Sequence, residues 1–117
     1  MNVSRAKSQR EHPRAPIQAS VRYFEWNEPH DAVATEISGG GIFLETQAPA
    51  PEGSLLTLRV ALPVGRSFTV LGRVVRTVRG SWARLRKPGM GIQFLDLSAW
   101  DRTAVVGYLE QHAVFTR

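Results

Sequence analysis

In Leu55-Leu56-Thr57-Leu58-Arg59-Val60-Ala61-Leu62, the residues Leu56, Leu58, Val60 and Leu62 fall at alternate positions. Side chains of an extended chain point to opposite faces with a period of two, so this run makes a strand with one apolar face. Such a strand cannot bury that face alone and obliges the rest of the chain to complete a sheet. Five other segments read the same way: residues 19–26, 32–38, 42–45, 67–78 and 89–94. In the longest of them Phe68, Val70 and Val74 share a face and Arg73 takes the other.

Breakers mark the connections. Asn27-Glu28-Pro29-His30-Asp31 is turn chemistry, Gly39-Gly40-Gly41 ends the second strand, and Pro63-Val64-Gly65-Arg66 turns the fourth into the fifth. Gln47 to Gly53 carries Pro49 and Pro51, which cannot donate to a ladder, and reads as loop. Gly80-Ser81-Trp82-Ala83 opens a basic hairpin region. Only the C-terminus has helical spacing: Ser98 is placed as an N-cap with Asp101 three residues on, and Trp100, Ala104, Tyr108 and Gln111 line one face beside Val105 and Leu109. Trp26, Phe43, Phe94 and Trp100 are expected in the core or between helix and sheet, with Trp82 at a hairpin tip. The expected fold is mainly β, a small antiparallel six-stranded barrel, closed or split, with a C-terminal α-helix against it or over one mouth. Residues 1–18, polar and interrupted by Pro13 and Pro16, read as a flexible basic arm, and residues 19–117 as the barrel with its helix.

The chain has 117 residues, enough for one domain with a core, and no cysteine, which excludes disulfides and thiolate metal sites. It contains no apolar run long enough to span a bilayer, and its first residues lack the apolar core of a signal peptide. A cytoplasmic protein without membrane insertion is the expectation. The three histidines, His12, His30 and His112, and the scattered carboxylates form no acid–base, nucleophilic or metal-ligating motif, so no enzymatic activity is expected. The net charge of +5 is concentrated in two places. Arg5, Lys7, Arg10 and Arg14 face one acid, Glu11, in the first fourteen residues; Arg73, Arg76, Arg79, Arg84, Arg86 and Lys87 face none in the second cluster. Clusters of this kind suit an anionic ligand or partner, or a solvated surface kept soluble by charge.

Within the first cluster, Arg10 and Arg14 are separated by three residues, and a second short motif, Glu36-Ile37-Ser38-Gly39-Gly40-Gly41, follows. Guanidinium forks offer paired donors in a fixed plane, which matches phosphates and guanine edges. A small hydroxyl beside glycines allows close approach to the backbone. Together the two motifs read as a clamp for phosphate and base; the glycines also satisfy a tight turn between strands.

In this arrangement the chain resembles the PilZ domain family, whose signature is Arg-x-x-x-Arg followed by Asp/Asn-x-Ser-x-x-Gly. Arg10 and Arg14 match the first half, Ser38 and Gly41 match the second, and Glu36 stands where the family pattern has Asp or Asn. Gly89-Met90-Gly91-Ile92-Gln93-Phe94-Leu95-Asp96-Leu97 is similar to the family's closing strand and its lead into the helix. The resemblance implies a β-barrel that binds cyclic di-GMP, with no further cofactor. Arg10 and Arg14 would meet the phosphates, and Glu36, Ser38 and Gly41 would meet and admit a guanine. It further implies an adaptor that passes the signal to a protein partner, in motility, secretion or exopolysaccharide production. Because glutamate adds a methylene at position 36, a PilZ-like protein-interaction adaptor without the nucleotide is the alternative. A nucleic-acid-binding barrel ranks third, since only Trp82 interleaves with the second basic cluster.

Overall fold

A computed structural model describes residues 13–80 and 87–112. Six strands, β1 (Arg14–Glu25), β2 (Glu28–Ser38), β3 (Gly41–Glu45), β4 (Leu55–Leu62), β5 (Arg66–Val78) and β6 (Gly89–Phe94), precede one helix, α1 (Ala99–His112). All neighbouring strands are antiparallel, in the order β1-β2-β3-β6-β5-β4, and the ring closes where β1 pairs with β4. Closure leaves the sheet without a free edge. The alternation of β4 is fully realised, with Leu56, Leu58, Val60 and Leu62 buried. They meet Val21, Tyr23, Leu44, Phe68, Val70, Met90 and Ile92 in one core.

Strand β1 begins at Arg14, five residues before the expected start at Ala19, so the segment 14–18 belongs to the barrel. Pro16 is admitted because β4 pairs with β1 only from Ser20. Its carbonyl accepts a hydrogen bond from the Tyr108 hydroxyl at 2.8 Å. In a strand the N–H and C=O of one residue point the same way, so the missing donor lies on this helix-facing side and costs no ladder bond.

The first turn is also shorter than its composition suggested. Glu25 pairs with Glu28, leaving Trp26 and Asn27 as a two-residue hairpin turn with φ of 53° and 66°. Left-handed conformation at both positions is the mark of a type I′ turn, whose twist matches that of the flanking strands. Trp26 consequently stands at the tip, 91% exposed, outside the core expected for it.

Helix α1 starts as anticipated: the Ser98 hydroxyl accepts the Asp101 N–H at 3.0 Å. Val105, Tyr108 and Leu109 face the core. At 100° per residue Trp100 lies about 130° from the middle of that arc, and it is 72% exposed. Trp100 stays outside the core; the Arg66 guanidinium at the start of β5 lies 4.7 Å from its ring centroid and reaches Asp101 at 3.4 Å. Phe94 and Phe43 are partly buried, and Phe94 meets Phe68 edge-on at 6.1 Å. Trp82 lies outside the described residues.

Candidate functional site

The second sequence motif occupies the end of β2 and the tight connection to β3. The Ser38 hydroxyl accepts the Gly40 N–H at 3.2 Å, a local bond that folds the chain back on itself. Gly41 then enters β3 opposite Gln93 of β6. A Cβ at position 41 would be driven into the carbonyl oxygen of Ile92 and lie 3.2 Å from its carbon. Glycine is therefore required here by the approach of two backbones, independently of any ligand.

Arg14 opens β1 directly opposite Ser38, and the cross-strand partner of Pro16 is Glu36. This register brings the two motifs together. The Arg14 guanidinium lies 4.0 Å from the Glu36 carboxylate, both side chains being at least half exposed. Screening by solvent keeps such a pair weak, at about 0–1 kcal/mol, so Arg14 is available to an incoming anion.

The orientation of Glu36 depends on a bulge. Ala34 faces Leu44 across β2 and β3, whereas Glu36 faces Phe43, so β2 carries one extra residue. Strict alternation from buried Ala34 would turn Glu36 inward and Ile37 outward. The bulge reverses this: Ile37 is buried and Glu36 is exposed.

A surface cleft of about 850 Å³ runs across these strands. Arg14, Glu36, Ser38 and Gly41 all line it, so four of the five expected site residues share one depression. The fifth, Arg10, lies outside the described residues. The cleft has further walls that the motifs did not indicate: Phe43 of β3, Val75 and Arg76 of β5, and Gln93 of β6. Arg76 holds its guanidinium 5.5 Å from the Phe43 ring centroid. Arg76 was legible only as a member of the second basic cluster; its direction is set by an extra residue in β5, where Val74 faces Ile92 but Arg76 faces Gly91. A polar rim with convergent donors, an acceptor and an aromatic floor is suited to a planar, anionic ligand. Among the described residues no three His, Asp or Glu side chains come together to hold a metal, and no helix is long and apolar enough to cross a membrane.

The chain belongs to the PilZ domain family, whose model matches residues 8–111. Among solved structures it is similar to Bacillus subtilis Inhibitor of motility (MotI/DgrA), with 21% identity and a TM-score of 0.77 over 87% of this chain and 50% of that one. It is also similar to the PilZ domain of YcgR from Escherichia coli with c-di-GMP, with 13% identity and a TM-score of 0.70 over 89% and 91% of the two chains. The K. pneumonia MrkH–c-di-GMP complex gives 19% identity and a TM-score of 0.73 over 87% and 50%. At these identities the likeness is one of fold. The chain spans about half the length of MotI and MrkH. No curated protein matches the sequence.

Proposed function

We propose that this PilZ domain is a receptor for cyclic di-GMP that works in the cytoplasm as an adaptor, changing its contacts with a protein partner when the nucleotide binds. The observation that carries the reading is the convergence of Arg14, Glu36, Ser38 and Gly41 on one cleft. In this reading Arg14, with Arg10, meets the phosphates through charge-assisted hydrogen bonds. Glu36 and Ser38 take the guanine edge, and the space above Gly41 admits the base. The YcgR domain and MrkH, whose structures were solved with c-di-GMP, support the choice of ligand. Control of motility, secretion or exopolysaccharide is the process proposed, and MotI, an inhibitor of motility, is consistent with the first of these.

A second reading starts from glutamate at position 36, where the family pattern has Asp or Asn. The added methylene displaces the carboxylate that would meet the guanine edge, leaving a protein-interaction adaptor that does without the nucleotide. Calorimetric titration with cyclic di-GMP separates the two. The receptor reading requires saturable heat and a raised melting temperature at tens of micromolar nucleotide. It also requires that Arg14→Ala weaken binding by about 1.5–3 kcal/mol, the range for hydrogen bonds to charged groups. Glu36→Asp should then tighten it. Absence of heat from a folded protein, restored by Glu36→Asp, would establish the second reading instead.

A further inference from the structure

The hairpin tip Glu25-Trp26-Asn27-Glu28 between β1 and β2 is composed against its own fold. Trp26 carries φ of 53°, in the left-handed region that strains a residue with a Cβ and that Asn27, at 66°, tolerates far better. The Trp26 side chain is 91% exposed and covers no core. Glu25 and Glu28 face each other directly across the last pair of the ladder, where like charges repel. Among the described residues no cation forms an ion pair with either glutamate, and no ring or cation stacks on Trp26.

The start of α1 shows what such a set of groups can hold. There a tryptophan again adjoins an acid, and both are occupied: the Arg66 guanidinium lies 4.7 Å from the Trp100 ring centroid and 3.4 Å from the Asp101 carboxylate. A guanidinium is planar and weakly hydrated, so it can lie on an indole face while its N–H groups donate to a neighbouring carboxylate. The hairpin tip brings together the same groups and a second carboxylate, with no arginine from the described residues upon them. The chain carries a net charge of +5, so two uncompensated acids beside an indole mark a local site for a cation on a basic molecule. This tip lies at the opposite end of β1 from Arg14, roughly 35 Å of strand away, so a partner seated there leaves the cleft open.

We infer that the tip is a docking point for a partner protein that presents an arginine, whose guanidinium lies on the Trp26 indole and donates to Glu25 and Glu28. The surface is separate from the cleft, and the inference stands whether or not the cleft binds cyclic di-GMP. Tryptophan and arginine are both enriched at the energetic centres of protein interfaces. The two-residue turn fixes the backbone that carries the indole beforehand, which reduces the freedom lost on docking. An arriving guanidinium also relieves the repulsion between the two glutamates.

The probe is a fluorescein-labelled nona-arginine peptide, titrated with the full chain in about 0.15 M salt and followed by anisotropy. Trp26→Asn is the informative variant, because asparagine fits the left-handed turn and leaves the fold at least as stable, which thermal melting checks. It is expected to weaken peptide binding about fivefold, and the double variant Glu25→Gln/Glu28→Gln about tenfold. Nona-lysine, which has the charge without the plane, should bind several-fold more weakly than nona-arginine. Wild type that does not bind nona-arginine overturns the inference, as does unchanged affinity in Trp26→Asn. Equal affinity for nona-lysine overturns the choice of arginine. Weakening in Trp26→Asn with none in the double glutamine variant overturns it too, since an apolar partner would then fit the tip. So does a wild-type dimer in sedimentation that Trp26→Asn dissolves, which would give the tip to a second copy of the chain.

Discussion

Gly41 belongs to the family motif, yet the barrel itself demands glycine there, and the substitution Gly41→Ala separates these roles. The added methyl would overlap the Ile92 carbonyl oxygen and sit 3.2 Å from its carbon. Both are backbone atoms at the start of the β3–β6 ladder, where Gly41 pairs with Gln93 and Ile42 with Ile92. No side chain can rotate away, so the strands must part. The neighbouring bond from Phe94 N–H to the Gly40 carbonyl, 2.9 Å long, would open with them. Overpacking costs about 1–3 kcal/mol, and loss of a backbone hydrogen bond about 0.5–1.5 kcal/mol. Together they predict a destabilisation of roughly 2–4 kcal/mol. A domain of this size should then melt roughly 10–20 °C lower. Gly40→Ala is the control: nothing lies within 4 Å of its Cβ position, and its backbone is not left-handed. It should be neutral or stabilise by up to about 1 kcal/mol through the unfolded chain. Urea and thermal unfolding of the three proteins, without nucleotide, measure this. If Gly41→Ala melts within a degree or two of wild type, the steric reasoning is wrong and glycine at 41 serves the ligand alone.

Other perturbations probe the frame around the cleft. Trp26 holds φ of 53° at an exposed hairpin tip, so Trp26→Asn should relieve about 1 kcal/mol of left-handed strain and raise the melting temperature by several degrees. The Arg22 Nε donates to the Asp31 carboxylate at 2.9 Å, and that hydrogen bond, with the attraction between the charges, holds the Asp31 carboxyl below its ordinary 3.8. A carboxyl lowered on folding stabilises above its unfolded value and loses that contribution as pH falls through the folded one. Wild type should therefore melt slightly above Arg22→Ala at pH 6 in low salt. The gap should close as pH falls below 3.8, and also in 1 M salt, because the pair is exposed.

What the sequence made legible follows from where the chain obeys a period. The unbroken alternation of β4 gave its buried face directly, and β4 pairs without irregularity on both sides. The helix cap at Ser98 and the closing strand 89–94 were equally readable. Misreadings fall where local composition and tertiary context disagree. Proline argued that residues 14–18 are an arm, but the helix-facing side of β1 has no ladder bond for Pro16 to break. Large aromatic side chains argued for burial of Trp26 and Trp100, but the hairpin twist and the helix phase placed both outside.

The lining of the cleft was half legible for the same reason. Arg14, Ser38 and Gly41, which line it, could be picked out because a spacing marks them without any knowledge of which way each side chain points. Arg76 could not, because its direction is set by one extra residue in β5, and nothing in Gly72-Arg73-Val74-Val75-Arg76-Thr77 announces it. The barrel's three register shifts fall between Pro16 and Ala19, Ala34 and Glu36, and Val74 and Arg76. Each adjoins the lateral row of Pro16, Glu36, Phe43, Gly91 and Arg76, while the β1–β4, β4–β5 and β3–β6 ladders run without one. A bulge gives up ladder regularity and twists its strand. Three of them beside one row, on the wall that carries the motif residues, re-aim two charged side chains away from the core and into the cleft. The regular ladders hold the barrel closed, and the irregular ones shape what it presents.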